Sequence, residues 1–95
     1  MSRPQPITRE DAETLALRAL AHIAADPVAI ERLLALTGLN PVELKARASE
    51  PSTLAGVLDY LLGNEAELLA FCAAAEIDPS LPARARRLLP GDMNA

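Results

Sequence analysis

The chain has 95 residues, of which 51% are hydrophobic, and a formal net charge of −4. Alanine (19) and leucine (17) dominate, while valine and isoleucine together number seven, the aromatic residues are Tyr60 and Phe71 alone, and Cys72 is the single cysteine. Such a chain holds one domain and favours helices over sheets; it excludes an intrachain disulfide, a Cys-rich metal site, and any surface built from stacked aromatic rings.

Residues 1–7 contain Pro4 and Pro6 and read as a flexible leader. Thr8 is a good N-cap, with Asp11 in the capping-box position. Helix 1 is predicted over residues 9–24. Ala12, Leu15, Ala16, Ala19, Leu20 and Ile23 form its apolar stripe, and His22 falls on the polar side as an exposed residue. Asp26-Pro27 starts helix 2, which buries Ile30, Leu33 and Leu34 and ends at Gly38 in the left-handed conformation. Asn40-Pro41-Val42-Glu43 repeats the device, with Leu39 and Leu44 at hydrophobic-staple spacing, and opens a short helix 3 over residues 41–48.

Ser49-Glu50-Pro51-Ser52 opens helix 4, which runs to residue 62. Leu54, Ala55, Val57, Leu58, Leu61 and Leu62 cover most of its circumference, which makes it the central, most buried helix. Gly63 stops it, and Asn64 caps helix 5 over residues 65–75, whose inner stripe is Leu68, Phe71, Cys72 and Ala75. Cys72 reads as a small buried hydrophobe. Asp78-Pro79 begins helix 6, predicted over residues 80–89, with Pro82 inside the tolerant first turn. Residues 91–95 read as a flexible tail. The expectation is an all-α fold, a compact array of five or six short helices in one domain over residues 8–90. Residues 36–41 and 74–79 echo each other, which reads as reuse of one corner chemistry rather than a solenoid repeat.

Charge is segregated. Residues 1–47 hold six acids and six bases; residues 48–83 hold six acids and no base; residues 84–95 hold Arg84, Arg86 and Arg87 against Asp92. The acidic balance weighs against nucleic acid and against an anionic membrane. Arg84 and Arg87 share a helix face. They read either as a contact for an anion or acidic partner, or as cations that complement a helix C-terminus and meet the acids of helices 4 and 5. Helix 2, the turn at residues 37–40 and helix 3 have the outline of a helix-turn-helix, with Lys45 and Arg47 facing phosphates. Two bases, an acidic first turn and no amide side chain to read a base edge make that the alternative reading.

No catalytic set, metal cluster or phosphate loop can be assembled, since one histidine would have to do all the base work. The chain is therefore expected to be non-enzymatic and to need no cofactor. The N-terminal residues lack an apolar run of signal-peptide length, and an uncharged stretch such as residues 68–75 is far short of a membrane span, so a cytoplasmic location is expected.

The feature that points furthest is apolar excess. A domain of this size can bury one apolar helix fully and a second only in part. Tyr60, Ala66, Ala70, Ala73 and Ala74 are therefore expected to offer a contact to a protein partner or to a second copy, making a homodimer through helices 4 and 5.

Leu36-Thr37-Gly38-Leu39-Asn40-Pro41, Glu43-Leu44, Val57-Leu58-Asp59-Tyr60-Leu61-Leu62, Glu65, and Ile77-Asp78-Pro79 before a basic helix form a linear pattern. It resembles a family of short, uncharacterised all-helical proteins of alphaproteobacteria. The likeness covers about residues 8–91. It implies a small helical fold in a bacterial cytoplasm and carries over no catalytic residue.

Overall fold

The computed structural model describes residues 6–90, so the tail and most of the predicted leader lie outside the described residues. Six helices form, α1 (Arg9–Ala24), α2 (Pro27–Thr37), α3 (Pro41–Ala46), α4 (Pro51–Leu62), α5 (Glu65–Ala75) and α6 (Leu81–Arg86), and the described residues contain no strand. The all-α expectation is met. The Cα radius of gyration is 12.8 Å, close to the ~12 Å of a compact chain of this length.

Local chemistry sets the helix starts. Thr8 Oγ1 accepts from the Asp11 amide at 3.0 Å while the Thr8 amide donates to the Asp11 carboxylate at 3.0 Å. Asn40 and Glu43 make the same reciprocal pair at 2.8 and 3.1 Å. Asp26 accepts from the Val28 and Ala29 amides, and Asn64 from the Glu67 amide. Each bond satisfies an amide that a helix N-terminus leaves without a partner. Gly38 ends α2 at φ 75°.

Two helices, α3 and α6, differ from the sequence expectation at their ends. α6 begins one residue later than predicted and stops at Arg86. Asp78 Oδ1 is engaged by the Ser80 amide and hydroxyl at 2.8 and 2.7 Å, so it caps a turn before the helix and not the helix itself. The Leu88 and Leu89 amides then bond three residues back, to Ala85 and Arg86, in a tighter turn. α3 likewise ends at Ala46, with Arg47 as its C-cap. α5 ends on Glu76 at φ 57°, ψ 47°, a left-handed conformation that costs a residue with a Cβ about 1–2 kcal/mol.

α1, α4 and α6 pack on one another, α2 leans on α1 and α4, and α5 packs chiefly against α4. α4 is the central helix: Thr53, Leu54, Ala55, Val57, Leu58, Tyr60 and Leu61 are buried. The stripe Ala12, Leu15, Ala16, Ala19 and Ile23 of α1 meets the same core, and alanine there allows close approach of the helices. Leu44 is buried in the core, and Leu39 and Ile7 are half-buried against it.

Candidate functional site

α5 is apolar all round, so its own pattern does not choose an inner face. The bulk of Phe71 does. Phe71 and Cys72 are buried, and Leu68 and Ala75 are half-buried beside them. At 3.6 residues per turn, Ala66, Leu69, Ala70, Ala73 and Ala74 cover an arc of about 140° on the opposite side. All five are exposed, Leu69 by 45%. Glu65 borders one edge of this face. Glu67 borders the other and is half-buried, 4.0 Å from Arg32 of α2. Arg18 of α1 reaches α5 on the body side, donating to the Ala75 carbonyl at 3.4 Å.

Tyr60 is not part of that surface. α4 turns its ring inward, leaving the residue 7% exposed. Its hydroxyl is buried without a hydrogen bond of ordinary length, although the Glu67 carboxylate and Arg32 guanidinium lie close enough to act on it. Burial first, and the accepting carboxylate of Glu67 second, push the phenol from 10.0 up to about 12, with Arg32 opposing. The folded value lies above the unfolded one. The stabilisation it brings is therefore complete below about pH 10 and is lost as pH rises through about 12. Tyr60 is the only tyrosine and there is no tryptophan, so ultraviolet titration reads it alone. The expected midpoint is about 12 in the folded chain and ~10 in denaturant; equal midpoints would refute the buried placement.

Beside α4 runs an open groove. A region of about 400 Å³ is lined by Leu36, Thr37, Leu39, Arg47, Ser52, Thr53, Gly56 and Asp59. A second region of about 250 Å³, lined by Arg32, Leu36, Asp59, Tyr60, Gly63 and Asn64, shares Leu36 and Asp59 with it. Leu36 is 60% exposed. Gly56 sits inside α4, where glycine costs about 1 kcal/mol relative to alanine. A Cβ there would meet only Thr37 Cγ2, at an ordinary 3.6 Å. The packing of the chain itself does not require that glycine. At the edge of the groove Asp59 Oδ1 accepts from Arg86 Nε at 2.7 Å, tying α6 to α4.

The remaining predicted residues scatter. Arg84 is half-buried and its charge bears on Asp78, whose carboxyl is held below the ordinary range first by the Ser80 hydroxyl. Arg87 is exposed. Arg86 meets Asp59 of α4, a pairing that the dipole-and-acid reading of Arg84 and Arg87 did not name. The Asp59–Arg86 pair itself was legible only as the lone charge in the apolar stretch of α4 beside a basic C-terminal helix. Lys45 and Arg47 are both exposed; α3 has six residues, and Arg47 lies beyond it, lining the groove. Cys72 is 2% exposed and burial pushes its thiol up, as expected of a core residue. His22 departs from its expectation as an exposed residue: it is half-buried, its ring 5.5 Å from that of Phe71, because α5 folds back over the end of α1. Among the described residues no group of three His, Cys, Asp or Glu could hold a metal ion, and no helix is long and apolar enough to cross a membrane.

A family model described as "Protein of unknown function (DUF3572)" matches residues 9–92. No curated protein and no solved structure matches the chain.

Proposed function

The chain belongs to the DUF3572 family of proteins of unknown function, and for this member we propose a non-catalytic, cytoplasmic protein-interaction module that works through the outward face of α5. The observation that carries the reading is that α5 is apolar on both sides while the fold covers only one. Alanine stabilises a helix on any face; what supports the reading is that Leu69 and the four alanines join into one uncharged, exposed strip. The alternative, a helix-turn-helix-like module using Lys45 and Arg47, has less support. α3 is six residues long and its first turn presents Glu43, held in the capping box. Arg47 stands beside Asp59 in the groove, and not on a helix that could enter a DNA major groove.

The test is Ala70→Glu, placed at the centre of the exposed face. The fold should be unaffected, within ~0.5 kcal/mol by denaturant titration. Every association of the wild-type chain, with itself in sedimentation or with proteins retained quantitatively from extract, should be lost. An association pattern identical in the variant would sink the reading.

A further inference from the structure

The outward face of α5 is bordered by acids, while the groove along α4 carries the exposed Arg47, Arg32, which lies 4.0 Å from Glu67, and Asp59, which Arg86 engages. One side of α4 and its C-cap is made of Ser52, Gly56, Asp59 and Gly63, spaced i, i+4, i+7, i+11, with Ser52 and Gly63 exposed and Gly56 and Asp59 half-buried. It is a shallow floor on which another helix can lie close, with Leu36 standing beside it. The buried, unpartnered Tyr60 hydroxyl lines one end of this groove. Arg32 and Arg47, both exposed, line its two regions. The α5 face is apolar and bordered by acid: Glu65 flanks its N-terminal end, and exposed Glu76 follows its C-terminal end. We propose that the occupant of the groove is α5 of a second copy of this chain. This rests on the reading of α5 as the binding face.

Self-pairing of α5 with α5 is disfavoured by the same charges. In an antiparallel pair like flanks meet, so Glu65 of one copy would face Glu76 of the other, and vice versa, with no base on residues 48–83 to separate them. Seating α5 in the groove instead brings Glu65 and Glu76 toward a surface carrying Arg32 and Arg47. It also gives a use to Gly56, whose missing side chain the fold does not need. Each copy offers one α5 and one groove, so two copies can satisfy both contacts reciprocally in a closed dimer, or one contact at a time head-to-tail.

Complementation of single-face variants tests this. Ala70→Glu disables α5 and Gly56→Leu fills the groove; Arg47→Glu, on the surface, removes groove charge without touching packing. In sedimentation up to millimolar concentration the wild-type chain should associate, to a closed dimer or beyond. Each variant alone should remain a monomer. An equimolar mixture of Ala70→Glu and Gly56→Leu should form a discrete dimer, because one intact α5 and one intact groove remain. A wild-type chain that stays monomeric overturns the assignment of a second copy and leaves the α5 reading to its own test. Association blocked by Ala70→Glu but not by Gly56→Leu or Arg47→Glu overturns the groove and leaves α5 as the contact. Association blocked by the groove variants but not by Ala70→Glu overturns both.

Discussion

Leu58→Ala lowers the stability of the chain by about 3–4 kcal/mol. Leu58 is 0% exposed on α4, the helix against which α1, α2, α5 and α6 all pack. Its neighbours on the same buried side, Leu54 and Leu61, are 1% and 0% exposed, so no solvent boundary lets the cavity collapse. A domain of this size has roughly 5–15 kcal/mol in total, and the variant should unfold at a visibly lower denaturant concentration. Leu69→Ala on α5 removes the same atoms from a residue 45% exposed and should cost no more than ~0.5 kcal/mol. Helical circular dichroism followed through a urea titration measures both. Similar losses for the two leucines would contradict the placement of α4 inside and α5 outside.

Arg86→Met costs about 2–3 kcal/mol, less than the full penalty for breaking a wholly buried pair because water reaches part of it. The side chains of Arg86 and Asp59 are 12% and 27% exposed, and the Nε–Oδ1 distance is 2.7 Å. Arg86 also donates to the Leu89 carbonyl at 3.3 Å, holding the turn that follows α6. Methionine keeps much of the length and removes the charge, which leaves the Asp59 carboxylate without its 2.7 Å donor. Adding Asp59→Asn should then cost less than it does in the wild-type background, with a coupling of ~1–2 kcal/mol in the double-mutant cycle. Additive losses would mean that the ion pair is not what holds α6 on α4.

Helix starts were legible because their causes lie within three or four residues. Thr8 with Asp11 and Asn40 with Glu43 need only neighbouring amides, and the structure closes both pairs. The start of α6 differs from the sequence expectation for an equally local reason: Asp78 takes the near Ser80 donors and does not cap the helix itself. Tyr60 was harder. On a helix buried over most of its circumference, nothing in the sequence says which large side chain ends up inside, and only the docking of α4 placed its ring away from water. His22 followed the same logic, since its contact with Phe71 exists only once α5 is folded onto the body.

The sequence by itself determined that the chain is a single all-α domain with α4 at its centre, and that more apolar helix surface exists than one small core can bury. Tertiary structure alone decided which surface is left over. α5 is apolar on both sides, so turning it by half a revolution would change little in its own pattern, and the choice falls to the fit of Phe71 against α4 and α1. The groove and the Asp59–Arg86 tie belong to the same class. They join residues far apart in the chain, and such contacts depend on how helices pack rather than on how each one forms.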